Sequence, residues 1–167
     1  MAILHFVGAG LFGFAHTLPQ VNYYTHGSQV TTSHGHLAFY GAYALLNLSF
    51  FYFAIPRIKG LPAARYDERA GHWGFWLTSL GVLGMSRAFA VAGVLQTYLE
   101  RVRGEPFMIA QGPMRFWMLV VFLHGLVVLA GVLTTVTHLL TLRPERASAE
   151  VVQLDVGGAP RTAASRS

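Results

Sequence analysis

Four stretches of the chain are apolar at helical length, and polar segments rich in turn formers separate them. Ile3 to Leu18 is apolar, carries Gly8, Gly10 and Gly13 as a small-residue face for close helix packing, and is closed by Pro19. Its roughly 16 residues fall short of the roughly 20 that cross a bilayer, and it lacks the basic start and cleavage site of a signal peptide. Pro19 to Thr32 reads as a polar loop in which Tyr23 and Tyr24 favour the water–lipid boundary. Thr31, Thr32 and Ser33 are candidate N-caps for a second helix, from about His34 to Ile55, that Pro56 stops. His72 to Leu99 forms a third span, opened by the interface anchors Trp73 and Trp76, and Arg115 to about Leu142 a fourth. Glu100 to Pro113 reads as the loop between them. The pattern predicts an all-α membrane domain over residues 1–143, with helices at about 3–18, 34–55, 72–99 and 115–142. Residues 144–167, rich in Ala, Ser, Arg and Gly, read as a flexible tail.

Composition narrows the function classes. Hydrophobic residues make up 53% of the 167 and charged residues 11%, against about 25% charged in an ordinary soluble domain. With no cysteine, disulfides, thiolate sites and iron–sulfur clusters are excluded. The formal charge of +5 comes from 12 basic residues, 11 of them Arg. Apart from Arg87 they sit in loops, at helix edges and in the tail rather than in an aromatic-interleaved stripe, which argues against nucleic acid and for membrane topology. Arg57, Lys59, Arg65, Arg69, Arg143 and Arg146 fall on one side, and Arg101, Arg103 and Arg115 on the other. The richer side is the cytoplasmic one, so the carboxy-terminus is cytoplasmic and the second helix begins at the outer face.

The chemistry concentrates between Thr31 and Tyr43, where His34 and His36 stand two residues apart. Successive helical residues are turned by about 100°, so these imidazoles leave about 200° apart. They are badly placed to share one metal ion, for which a helix needs the i, i+4 spacing. Opposite flanks suit two separate metallo-cofactors, each taking one axial histidine. Gly35 and Gly41 would then let flat macrocycles approach the backbone. Two polar side chains lying near the headgroups are the plain alternative, and the spacing alone does not choose.

The run from His16 to Tyr43, with Asn22-Tyr-Tyr-Thr-His-Gly27 inside it, resembles the large subunit of bacterial cytochrome c-dependent nitric oxide reductases, within the haem–copper oxidase superfamily. Trp73-Gly-Phe-Trp-Leu77 and Ala92-Gly-Val-Leu-Gln96 support the resemblance in the third span, and the fourth is matched mainly by hydropathy. It extends to about residue 142 and covers the last four of the family's twelve helices, the short first segment corresponding to a helix that starts before Met1. It implies that His34 is the proximal ligand of the high-spin haem b and His36 an axial ligand of the low-spin haem b. His16, His26 and Thr17 correspond to a proton route from the periplasm, or else are interfacial residues solvated by headgroups.

The resemblance also implies what the chain does not carry. The second axial ligand of the low-spin haem, the ligands of the non-haem iron and most of the calcium site belong to the family's earlier helices. The implied partners are that amino-terminal eight-helix portion, a cytochrome c-type small subunit and membrane lipid, in the bacterial inner membrane. The activity implied for the assembly is respiratory reduction of NO to N2O in denitrification, which this chain does not catalyse alone. A fragment of a related haem–copper terminal oxidase is a close variant. A non-catalytic four-helix haem protein that relays electrons, and a remnant of a decaying gene, are the other readings.

The remaining polar positions are read structurally. A mid-span Arg87 departs from the apolar residue expected, at about 2.5–3.5 kcal/mol on insertion scales. A carboxylate on a neighbouring helix and relaxed constraint account for it equally. His124 and His138, fourteen residues apart, share a face of the last span, His124 reading as a buried, hydrogen-bonded helix–helix contact and His138 as a residue near the cytoplasmic interface. His5 and His72 read as boundary residues. Phe39, Tyr40 and Tyr43 are candidates to pack on macrocycles or, more plainly, on neighbouring helices.

Overall fold

The computed structural model describes residues 1–61 and 68–143, and all of its regular elements are helices. The tail 144–167, and with it Arg146, lies outside the described residues, as do Arg65 and Asp67 in the second connection. The elements are α1 (Ala2–Thr17), α2 (Pro19–Thr25), α3 (Gln29–Ile58), α4 (Arg69–Val102) and α5 (Phe107–Thr141). Helices α3, α4 and α5 are each long and apolar enough to cross a membrane. The pair α1 and α2, bent by 96° at its break, supplies a fourth span if it is counted as one. The chain is an all-α membrane protein.

Several boundaries differ from the expected ones, each for a local reason. Leu18 is extended (φ −73°, ψ 123°) because it precedes Pro19, and Pro19 then starts a helix rather than a loop. Gly27, at φ +74°, breaks that helix. Ser28 caps α3, its hydroxyl accepting from the Val30 N–H at 3.2 Å, so α3 begins ahead of Thr31, Thr32 and Ser33. At its other end α3 runs past Pro56 and stops at Gly60 (φ +67°). There the Leu61 N–H bonds Pro56 O and the Gly60 N–H bonds Arg57 O, the paired closure of a Schellman motif. Helix α5 opens at Phe107, directly after Pro106, so the loop expected up to Pro113 shrinks to a few residues.

Small residues hold the long hairpin together. Helices α4 and α5 pair along most of their length. Gly74 meets Thr135, Gly81 meets Val128, and Gly84 meets the His124 ring. On the facing helix, a Cβ at Gly131 would lie 2.5 Å from Thr78 N. Without a hydrophobic force between helices in lipid, such close backbone approach is what holds them. At the carboxy-terminal end of α5, Lys59 Nζ donates to Leu139 O at 2.9 Å and to Leu140 O at 2.7 Å. It thereby caps the carbonyls and the negative dipole end of α5. Leu61, Leu139 and Leu142 bury one another beside it.

Replacing Gly131 by Leu forces this seam apart, and overpacking of that kind costs about 1–3 kcal/mol. A Cβ at Gly125 meets nothing within 4 Å, so Gly125→Leu leaves stability unchanged. Thermal melts of both variants in detergent, followed by circular dichroism, check the contrast.

Candidate functional site

The site is built on the amino-terminal half of α3, which is wedged between α1 and α4. Against α4 the contacts are polar and intimate. The Ser33 hydroxyl, buried, donates to Ser86 O at 2.7 Å, and Gln96 Oε1 accepts the Gln29 N–H at 2.9 Å. Gln96 Nε2 donates onward to Glu100 at 3.1 Å. A Cβ at Gly93 would run into the Val30 backbone, so α3 starts in direct contact with α4 there. Against α1 the register is antiparallel, with His34 over Gly13, Leu37 over Gly8, and Gly41 over His5.

This wedge sends the two histidines to different helices. The His34 ring turns to α1. It packs on the Gly13 backbone, lies edge-on to Phe12 at 5.9 Å, and stacks on His16 at 5.7 Å and 25°. The His36 ring turns to α4, with its centroid 4.6 Å from that of Phe89, and stacks on Tyr40 of its own helix at 5.5 Å. His36 Nδ1 donates to Thr32 O at 2.9 Å. A backbone carbonyl on Nδ1 fixes the tautomer that leaves Nε2 as a lone-pair donor, the usual preparation of a metal-binding histidine. His34 Nδ1 is buried with no hydrogen-bond partner among the described residues, and the Ala9 carbonyl of α1 lies against the same ring. Beside it opens a cleft of about 220 Å³ lined by Gly10, Gly13, Ala38 and Ala42 together with Phe6 and Tyr43. The two rings thus leave opposite flanks of α3, His36 with its Nδ1 set by a carbonyl and His34 beside a cleft of small residues, so each could supply one axial nitrogen to a separate flat metal complex.

The other expected site residues divide. His16 joins His34, and its Nδ1 donates to Phe12 O at 2.9 Å. Thr17 is exposed and donates to Phe14 O, and His26 is exposed at the end of α2. Gly35 faces open space, as a macrocycle approach requires, but Gly41 does not. The His5 side chain fills the place a Cβ would take there, at 2.9 Å. His5 is therefore no boundary residue. It is 5% exposed and its Nδ1 donates to Gly41 O at 3.1 Å. The signal that finds it is the helical stripe His5, Ala9, Gly13, His16 along α1. His72 does lie exposed at the start of α4. Phe39, Tyr40 and Tyr43 are between 47% and 69% exposed, so among the described residues they cover little. Arg87 is exposed at the level of Ser86 and Phe89, and makes no ion pair among the described residues. Nor does any group of three or more His, Asp or Glu able to hold a metal ion occur among the described residues.

The polar clamp between α3 and α4 sets the order of two substitutions. Ser33→Ala removes a donor and costs about 1 kcal/mol. Gln96→Leu leaves the half-buried Gln29 N–H without its acceptor and puts a side chain that cannot bond Glu100 in a buried position, and costs more, about 1–3 kcal/mol. Denaturant titration of the two variants beside the parent chain checks that order.

Comparison with known proteins gives this geometry a family. Residues 1–146 match the one described as Cytochrome C and Quinol oxidase polypeptide I. Over 103 residues the chain is 48% identical to a nitric oxide reductase subunit of Stutzerimonas stutzeri, an overlap of 60% of this chain and 22% of that protein. The chain is thus similar to about a fifth of its relative's length.

Proposed function

The chain belongs to the cytochrome c and quinol oxidase polypeptide I family, and on that premise we propose that it is the haem-ligating, carboxy-terminal portion of a nitric oxide reductase large subunit. His34 is the axial ligand of the high-spin haem b, and His36 one axial ligand of the low-spin haem b. The observation that carries this reading is the divergence of the two rings, His34 onto α1 and His36 onto Phe89 of α4. The 48% identity to a nitric oxide reductase subunit favours NO over O2 as the substrate of the assembly.

The remaining parts come from outside the described residues. An amino-terminal, eight-helix portion supplies the second ligand of the low-spin haem and the ligands of a non-haem iron and a calcium ion. A cytochrome c-type small subunit delivers electrons at the outer face of the bacterial inner membrane, and the carboxy-terminus is cytoplasmic. When bound, the haems carry electrons and, with the non-haem iron, allow two NO, two electrons and two protons to become N2O and water. This chain's residues hold and orient. The Thr32 carbonyl keeps a proton on His36 Nδ1, and the α1 and α4 contacts stop either ring from swinging to the other flank. His16, in contact with His34, passes protons inward from the outer face, with Thr17 and His26 at the entrance.

The test uses the chain assembled in membranes with the amino-terminal portion of the Stutzerimonas stutzeri relative. The parent carries two haems b by pyridine haemochrome. His36→Ala loses the low-spin α-band, and His34→Ala keeps that band but loses the high-spin, CO-binding component. NO consumption is lost in both variants. Haem content and spectra unchanged in the two variants would refute the assignment.

A further inference from the structure

The stretch that follows the haem histidines is not an ordinary α-helix. From Leu37 to Ala44, directly after His36, the backbone of α3 winds as a π-helix. Such a segment is strained relative to α-helix, concentrates at functional sites, and rotates everything beyond it around the helix axis. It also misaligns donors and acceptors at its ends. The Leu45 N–H, which a regular helix would give to Gly41 O, bonds Ala42 O instead.

Gly41 O is where α1 intervenes. His5 Nδ1 donates to it at 3.1 Å, from a side chain that is 5% exposed. A carbonyl partner requires the proton to sit on Nδ1. The position facing it is glycine for a steric reason, since a Cβ on Gly41 would lie 2.9 Å from His5 Cβ and Cγ. The ring thus reaches the backbone of α3 itself rather than a side chain on it. The same face of α1 carries Gly13, against which the His34 ring packs two turns further out.

We propose that His5 is a positioning residue, which holds the π segment of α3 in place through Gly41 O and so sets how His34 and His36 are presented to their haems. It touches neither haem. The inference rests on the assignment of His34 and His36 as ligands and adds to it a residue on another helix. In its absence the π segment relaxes toward regular winding, and the orientation of the rings it follows is no longer fixed.

The experiment compares the parent assembly with His5→Phe, which keeps a flat ring but has no donor, and His5→Asn, whose amide donates from nearly the same place. Hydrogen exchange over residues 37–46 is read by mass spectrometry, and the low-spin haem by its α-band and midpoint potential. His5→Phe exchanges about five to ten times faster there, as expected for one lost hydrogen bond, and shifts both haem readouts. His5→Asn stays close to the parent in all three. A residue that only filled space would show the reverse, Phe being tolerated and Asn not. Either readout left at the parent value in His5→Phe overturns the inference, as does a folded His5→Asn that matches His5→Phe. Absence from the parent of haem that depends on His34 and His36 sinks the ligand assignment as well. Haem that is present and indifferent to His5 sinks this inference alone.

Discussion

The chain's chemistry depends on the position of α3 between two helices that grip it from different sides. A helix by itself only guarantees that residues two apart diverge by about 200°. What fixes that divergence is that each ring finds a different neighbour, Gly13 and Phe12 on α1 for His34, and Phe89 on α4 for His36. The grip is asymmetric. Toward α4 it is made of hydrogen bonds, the buried one from Ser33 to Ser86 O and the half-buried one from Gln29 to Gln96. Toward α1 it is made of glycine contacts and the single reach of His5. Hydrogen bonds specify rotation and height along α4, whereas small residues specify closeness along α1, and a helix held both ways has little freedom left to turn.

The parts of this that are legible in the sequence are those that depend on periodicity and composition. Apolar length alone identifies α3, α4 and α5, because in a bilayer backbone groups must bond within their own segment and helix is the economical solution. The His34/His36 divergence follows from rotation per residue, which a π segment beginning one residue later, at Leu37, leaves intact. What sequence reading misses lies at junctions. Pro19 reads as a terminator but starts a short helix, since a proline that stops one helix is well placed to open another. Pro56 reads as a stop, yet α3 continues to the Gly60 closure, because losing one N–H in the last turn matters little when the cap is good. The π winding has no composition of its own, so neither it nor the role of His5 is visible in one segment. Gly41 is legible as a close approach, but not which group approaches.

The surface of the folded chain bears on what surrounds it. Along α1, Ile3, Leu4, Phe6, Val7, Leu11 and Phe14 are each more than half exposed, and α5 presents Phe116, Phe122, Leu129 and Leu133 in the same way. Lipid satisfies such faces, so by themselves they ask for nothing. Arg87 is different. It is exposed midway along α4, level with the Ser33–Ser86 bond and the His36–Phe89 contact. A guanidinium at that depth costs about 2.5–3.5 kcal/mol on insertion scales unless a partner or a water-filled space meets it. Of the nearby polar groups, the Ser33 hydroxyl is spent on Ser86 O and Thr32 O on His36, while the buried Ser86 hydroxyl meets no partner among the described residues. The charge therefore asks for a polar counterpart in whatever packs against this face of α4. A carboxylate on a neighbouring helix or a water-filled space meets that demand where lipid alone does not.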